Sequence, residues 1–249
     1  MDTPDTAIHR TIAQTLLAGR LAPGTQLVET RLAAVFGVSR ERVRKVLHRL
    51  GHERLLELIP NRGAFVASPT LAQAREIYEA RRIVEGGLVG RLAGRLSAAQ
   101  IDLLSVHGRR EQAALKQHDR AASIRLSGEF HTLLADCAGS DFVAAQLREL
   151  VSRTAMLVAF FEPAASSACA CEEHEAILAA LIAGDAAGAL KAMHVHLSLI
   201  ETRLTPRAAA LPEADPERVL ALAWRNAYGR AHRKSRASPR STNLETSSR

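Results

Sequence analysis

The chain has 249 residues, of which 47% are apolar and only 4% aromatic, and this fits two domains built mainly from packed helices. No run of about 18 apolar residues exists, so we expect no transmembrane helix and no membrane association. The acidic N-terminus lacks the apolar core of a signal peptide, and three cysteines are too few for a disulfide framework. These features predict a cytoplasmic location.

The formal net charge of +7 is concentrated at the two ends of the chain. Residues 1–69 carry 10 Lys or Arg against 6 Asp or Glu, and residues 205–249 carry 9 against 4, whereas residues 70–204 carry 14 against 16. Basic ends around a slightly acidic middle indicate that the ends meet a polyanion such as nucleic acid. On charge alone, a solvated arginine-rich surface is the alternative.

The first 69 residues have the pattern of three short helices followed by a hairpin. Apolar spacing predicts a helix over residues 6–19 and a shorter helix that ends before Gly37. Ser39 is positioned to cap a third helix over residues 40–52. Extended segments within residues 56–67 then predict the hairpin.

The third helix has the two faces that a DNA-recognition helix needs. One face is apolar and is predicted to be buried, through Val43, Val46, Leu47 and Leu50. Arg40 and Arg44 lie four residues apart on the outward face, and Arg42 adds charge beside them. An arginine fork can grip guanine O6 and N7, or a phosphate, at two points. Two short helices around a glycine turn therefore predict a helix-turn-helix.

The hairpin is predicted to form a wing, with Arg62 and Gly63 at its tip. Glycine there allows a close approach of the backbone to DNA, and Arg62 can reach a phosphate or the minor groove. An ordinary basic surface helix would explain the cations, but not their combination with the turn and the hairpin. Residues 1–69 are therefore interpreted as a winged helix-turn-helix DNA-binding domain.

The rest of the chain divides into a helical domain and a tail. Residues 70–204 contain six predicted helices, over 71–94, 98–116, 119–138, 141–161, 168–183 and 185–204. Their short connections imply an antiparallel all-α bundle. Residues 205–249 are predicted to be a basic, largely disordered tail with one helix around 216–228. The fold class is thus mainly α.

Three histidines fall on apolar faces of separate helices in this bundle, namely His131, His174 and His196. Imidazoles that converge in a bundle core form a natural site for a divalent metal such as Zn²⁺. The alternative is that each is a hydrogen-bonded core residue. Cys169 and Cys171 offer a competing metal site with His174, or a redox switch.

Two stretches, LAPGTQLVETRLAAVFGVSRERVRKVLHRL and PNRGAFV, make residues 6–68 resemble the winged-helix domain of the GntR family of regulators. Residues 71–204 are similar to the FCD ligand-binding domain that follows it in the FadR branch of that family. This second resemblance rests on YEARRIVEGGLVGRLA, FHTLLADCAGS and EHEAILAALIAGDAAGALKAMHVHL. Six helices fit the VanR-like subgroup.

The resemblance implies a homodimeric regulator, by family habit a repressor, that binds double-stranded operator DNA and responds to a small-molecule effector. The residues that it implies in operator contacts are Arg31, Arg40, Arg44, Arg62 and Gly63. The sequence departs from the family pattern at Glu41, where a small polar residue is usual. Glu41 either accepts a hydrogen bond from a cytosine N4 amine or pairs with Lys45.

In many FCD domains a carboxylate and three histidines hold a metal, and a small organic acid completes its shell. The three histidines named above correspond to that set, but the carboxylate position, one turn before the first histidine, is Ser127. Either the histidines suffice with water or effector, or the site binds an effector without metal. Arg81 matches the family's Glu-x-Arg pattern and would neutralise an acidic effector; pairing with Glu85 is the alternative.

Two other functions compete with regulation. A metal-dependent hydrolase would use the three histidines, but the sequence has no HExxH motif or nucleophile elbow, and the winged helix would have no role. A non-specific architectural DNA binder would use the basic tail and would depend strongly on salt. The sequence favours a ligand-responsive transcription regulator that is not an enzyme.

Overall fold

The structure, a computed structural model, describes residues 3–163, 170–206 and 214–236. Its N-terminal unit contains three helices and a small sheet. These elements are α1 (Pro4–Leu17), β1 (Gln26–Leu27), α2 (Glu29–Phe36), α3 (Arg40–His52), β2 (Leu56–Ile59) and β3 (Gly63–Val66). The predicted winged helix-turn-helix is confirmed.

The sheet has the order β1-β3-β2 with antiparallel pairing throughout. The β2–β3 hairpin is the one expected from the sequence, and its register sets Leu58 opposite Ala64. The first strand was not expected. Its two residues are too few to show the alternation of apolar and polar side chains that indicates a strand.

The turn between α2 and α3 fixes the recognition helix. Gly37 ends α2 with φ of +66°, a left-handed conformation that favours glycine. The Ser39 side chain accepts a hydrogen bond from the Arg42 backbone N–H and caps α3. The apolar face of α3 is buried, as the spacing predicted, through Val43, Val46, Leu47 and Leu50. Its opposite face is therefore left to solvent.

The second unit is an antiparallel bundle of six helices, as predicted. They are α4 (Leu71–Leu92), α5 (Ala98–Lys116), α6 (Arg120–Cys137), α7 (Asp141–Phe161), α8 (Ala170–Ala183) and α9 (Ala186–Arg203). The helix limits follow local capping chemistry. Ser97 and Gln100 form the expected capping box at the start of α5. Gly184, with φ of +73°, ends one helix, and Asp185 caps the next.

The two units share part of one hydrophobic core. Helix α1 packs against α6 and α7 of the bundle. The buried side chains of Ile124, Met156 and Phe160 join the core of the N-terminal unit at this junction. None of the described helices has the length and apolar character needed to cross a membrane.

The single helix predicted in the tail, around residues 216–228, is present and continues to residue 236. This helix, α10 (Pro216–Arg236), packs against α1 and α2. Leu220 is fully buried there, and Trp224 meets Phe36 edge to face, with ring centroids 5.1 Å apart. The basic composition gave no sign of this packing, but a few apolar side chains are enough to dock the helix. Residues 237–249 lie outside the described residues.

Candidate metal centre and nucleic-acid interface

The three predicted histidines meet inside the bundle and form what we term the histidine cluster (His131, His174 and His196). They come from α6, α8 and α9, and each is at most 2% exposed. The Nε2 atom of His196 lies 3.2 Å from Nε2 of His174 and 3.1 Å from Nε2 of His131. The candidate ligand atoms all lie within 4.8 Å of one another. The structure therefore brings together the residues that the sequence singled out.

Each histidine of the cluster presents its other ring nitrogen, Nδ1, to a carboxylate. The pairs are His131 with Glu85 at 2.5 Å, His174 with Glu111 at 3.0 Å and His196 with Glu173 at 2.7 Å. An ionised carboxylate can only accept, so each Nδ1 carries the hydrogen and each Nε2 keeps its lone pair. Sequence reasoning missed these carboxylates as histidine partners, because they are 23 to 63 residues away from the histidines.

This donor set fits a divalent cation. Three lone pairs that face one another in a buried site repel unless a positive charge lies among them. A Zn–N distance of about 2.1 Å and tetrahedral angles put ligand nitrogens ~3.4 Å apart, close to the 3.2 and 3.1 Å that separate Nε2 of His196 from the other two Nε2 atoms. Carboxylates on the far ring nitrogens are the usual partners of metal-binding histidines.

The electrostatics keep the imidazoles of His131 and His196 neutral and the carboxylate of Glu85 ionised. Burial lowers the pKa of His131 to about 4, although the neighbouring Glu85 opposes the shift. Burial also lowers the pKa of His196 well below its ordinary value. For Glu85, burial acts to raise the pKa, but Arg81 and His131 outweigh it and lower the pKa to about 2. Neutral imidazoles are the form that binds metal.

A cavity adjoins the cluster and carries polar atoms that need a partner. Its lining includes His131, Ser127, Thr154, Tyr78, Arg81 and Arg203. Within the described residues, three buried atoms of this lining have no hydrogen-bond partner, namely Tyr78 Oη, Arg81 Nη2 and Arg203 Nη1. Buried polar groups without partners are costly. The cavity therefore has the chemistry to bind an anion.

Both roles considered for Arg81 are compatible with its geometry. Its Nε donates to Glu85 at 2.6 Å and its Nη1 donates to Thr154 at 3.0 Å, while Nη2 remains for the cavity. Ser127 also lines the cavity. The buried Glu85 does not replace the missing carboxylate ligand, because it contacts the Nδ1 atom of His131 and not the converging Nε2 atoms.

The competing cysteine site gains no support from the part of the chain that the structure describes. Burial raises the pKa of the Cys171 thiol to about 11, so the thiolate needed for metal binding or redox exchange is scarce at neutral pH. The only metal-ligating group found among the described residues is the histidine cluster. Cys169 lies outside the described residues.

Each predicted DNA-contacting arginine of α2 and α3 pairs with a carboxylate; Arg31, Arg40 and Arg42 are exposed, and Arg44 is half-exposed. The pairs are Arg31 with Glu217 at 3.8 Å, Arg40 with Glu29 at 2.7 Å, Arg42 with Asp5 at 3.0 Å and Arg44 with Glu29 at 3.0 Å. Such exposed pairs are weak. Phosphates can replace the carboxylates at little cost.

The other predicted DNA-contacting positions are Glu41 on the recognition helix and Arg62 and Gly63 at the wing tip. Glu41 is 81% exposed and contacts Arg44 at 3.4 Å, whereas Lys45 was the partner considered from the sequence. One helical turn accommodates either spacing, and the long Arg44 side chain is the one that reaches back. Gly63 has φ of +99°, which favours glycine at the wing. Arg62 lies over the Phe65 ring, 5.5 Å from its centroid.

Comparison with known proteins gives the family. The model described as "Bacterial regulatory proteins, gntR family" matches residues 4–66, and the FCD domain model matches residues 76–199. The chain belongs to the GntR family. The HTH-type transcriptional repressor RspR of Escherichia coli (strain K12) is 26% identical over 196 residues, which cover 78% of this chain and 85% of RspR. The HTH-type transcriptional regulator LutR of Bacillus subtilis (strain 168) is 28% identical, over 75% of this chain and 94% of LutR.

Two solved structures share the fold. E. coli McbR/YncC and a GntR regulator from Rhodococcus sp. RHA1 each give a TM-score of 0.66, with 80% of this chain and 95% of theirs covered, at 21% and 24% identity. GntR proteins with FCD domains are transcription regulators, which are not enzymes, and the FCD domain binds ligands. The prediction of a ligand-responsive DNA-binding regulator is confirmed.

Proposed function

We propose that this GntR regulator is a homodimeric, cytoplasmic repressor whose operator affinity is set by a small organic anion. The anion would bind in the cavity beside a divalent metal, most suitably Zn²⁺, held by the histidine cluster. The observation that carries the proposal is the convergence of three Nε2 atoms next to the unpartnered donors of Arg81, Tyr78 and Arg203. The repressor role is supported by the likeness to RspR.

Ser127 gives the metal site a specific electrostatic character. Three neutral imidazoles leave the full charge of a bound divalent cation uncompensated by its direct ligands. When bound, the metal would supply an open coordination position for an oxygen of the effector. The guanidinium of Arg81 would bind the effector's other oxygens, since arginine suits planar anions. The site should therefore bind an anion more strongly with metal than without it.

The DNA-binding half of the proposal assigns the contacts to exposed arginines. Arg40 and Arg44 would reach base edges or phosphates in the major groove, with Arg42 and Glu41 beside them. Arg31 would hold a phosphate. The wing tip at Arg62 and Gly63 would approach the adjacent groove or backbone. Two such heads in a dimer would read the two halves of a palindromic operator.

Metal content tests the histidine cluster. Protein loaded with zinc and desalted should retain one zinc per chain by elemental analysis. The variant His174→Ala should retain none, because two imidazoles remain. His194→Ala is the matched control, since His194 lies on the same helix as His196 but hydrogen-bonds the Arg82 carbonyl. Stoichiometric zinc in His174→Ala would contradict the assignment.

A thermal-shift screen of small carboxylates tests the effector site. Each compound is added to zinc-loaded and to metal-free protein. Hits should raise the melting temperature of the zinc-loaded protein more than that of the metal-free protein, and Arg81→Gln should lose the shift. Arg82→Gln is the control, because Arg82 pairs with Glu201 outside the cavity. Equal shifts with and without zinc would refute a metal-anchored effector.

A further inference from the structure

A basic helix lies beyond the two domains that define the family. The FCD match ends at residue 199, and α10 begins at Pro216. Neither family match accounts for this helix. Its position against the DNA-binding unit therefore calls for an explanation of its own.

The first half of α10 is an anchor. Leu220 is fully buried in the core of the N-terminal unit, and Val219 packs against the same core. Trp224 contacts Phe36, the last residue of α2, with the rings inclined at 76°. These apolar contacts fix α10 to the helix-turn-helix itself and not to the effector domain.

The anchor also sets the direction of the helix. Glu217, in the first turn of α10, lies 3.8 Å from Arg31 near the start of α2. Trp224, two turns later, meets Phe36 at the end of α2. Helix α10 thus runs beside α2 in the same sense. It continues to Arg236, about 18 Å beyond Trp224 at 1.5 Å per residue, starting beside the turn from which the recognition helix begins.

Charge is unevenly distributed over residues 205–244, and the packing of α10 does not require this distribution. Acidic side chains occur only before or in the first turn of α10, at residues 213, 215 and 217. From residue 218 to residue 244 the sequence has seven Lys or Arg and no Asp or Glu. Attraction to the helix dipole favours cations only in the last turn. The cations at residues 225 and 230 of α10 lie outside that turn.

We propose that α10 is an additional DNA-binding element, whose basic second half lies along phosphates of the duplex that flank the bases contacted by the recognition helix. Such contacts add affinity without reading sequence. The inference rests on DNA binding by the winged helix-turn-helix, which family membership gives. It does not depend on the metal or on the effector.

The test uses full-length protein, without effector, and duplexes selected by that protein from a random-sequence library. In one variant, five cations of α10 are replaced by Gln, at residues 225, 230, 233, 234 and 236. Gln keeps helix propensity close to that of Arg and Lys, and the anchor residues are unchanged. The matched control replaces five exposed cations of α4, α5 and their connection, Arg91, Arg95, Arg109, Arg110 and Lys116, by Gln.

Fluorescence anisotropy over a range of KCl concentrations gives the salt dependence of the binding constant. The log–log slope of the α10 variant should become shallower by about 0.9 for each phosphate contact removed, about 2 or more in total, with about 10-fold or greater loss of affinity near physiological salt. The preferred base sequence should not change. The control should bind as the unmodified protein does.

A third variant separates charge from structure. Replacing the four arginines of the set by Lys keeps the charge and should keep both slope and affinity. An unchanged salt-dependence slope in the Gln variant would overturn the proposal. So would a loss of DNA affinity in the Lys variant as large as the loss in the Gln variant. If the Gln variant lost binding to anionic vesicles or to RNA but bound the duplex as before, the proposal would also be overturned, because the partner of α10 would then be a different polyanion.

Discussion

Glu111 offers the sharpest test of how the histidine cluster is held. Its two carboxylate oxygens lie 3.0 and 3.1 Å from Nδ1 of His174, and its side chain is 3% exposed. Unlike Glu85 and Glu173, which also pair with arginines, it has no ion pair with an arginine in the described part of the chain. Substitution of Glu111 therefore removes the carboxylate partner of His174 and leaves the carboxylate partners of His131 and His196 in place.

The expected effect of Glu111→Gln is electronic and not steric. Phe130 stacks on His174 with centroids 4.1 Å apart and rings inclined by 18°, so the imidazole should keep its orientation when the carboxylate charge is removed. Gln can still accept from Nδ1, but it no longer raises the basicity of Nε2. Loss of such a partner costs about 10–100-fold in metal affinity, or about 1.4–2.7 kcal/mol.

Competition with a chromophoric zinc chelator measures this difference directly. Glu129→Gln is the control, because Glu129 lies two residues from His131 but pairs with Arg125 at the surface. The control should bind zinc as the unmodified protein does, and Glu111→Ala should bind more weakly than Glu111→Gln. If Glu111→Gln kept the original zinc affinity, the argument that carboxylates fix the tautomer and basicity of the cluster would be wrong.

Three further predictions concern the rest of the molecule. Arg44→Ala should weaken operator binding by about 1–3 kcal/mol at matched salt if Arg44 reads a base, and equal affinities in an anisotropy titration would remove that assignment. The free energy of unfolding of metal-free protein should fall as pH drops from 6.5 to about 4, because in this range His131 binds a proton in the unfolded chain but stays neutral when it is buried in the fold. Equal urea midpoints at pH 7 and pH 5 would contradict this. Leu220→Ala should cost about 2–5 kcal/mol and expose Trp224, and an unchanged tryptophan emission spectrum would show that α10 is not anchored as described.

The parts of this fold that the sequence predicted are those governed by local rules. Caps such as Ser39 and Ser97, and glycines such as Gly37, decide where helices begin and end, and they lie within a turn of the element that they limit. The histidines of the cluster were found for the same reason, since each lies on the apolar face of its own helix. Helical periodicity places such residues in the core without any knowledge of the partner helices.

The parts that the sequence did not predict depend on contacts between distant segments. Glu111 is 63 residues from His174, and nothing in its own helix distinguishes it from a surface glutamate until α5 and α8 pack together. The sequence predicted a helix around residues 216–228, but its basic composition gave no sign that this helix packs against the DNA-binding unit. Only the fold shows that Leu220 and Trp224 meet an apolar surface on α1 and α2.

Helix α6 connects the proposed effector site directly to the DNA-binding unit. Ile124 is buried in the core that α1 shares with the bundle, Ser127 lines the cavity, and His131 belongs to the histidine cluster. Their spacing of three and four residues puts all three on one face of the helix. A ligand that shifts or rotates α6 by changing its contacts at Ser127 and His131 must also change how Ile124 packs beneath α1. Coupling between two sites requires that each ligand bind the two arrangements of such an element with different affinity. Here the element is a single rigid helix, so no chain of intermediate residues is needed between the cavity and the DNA-binding head.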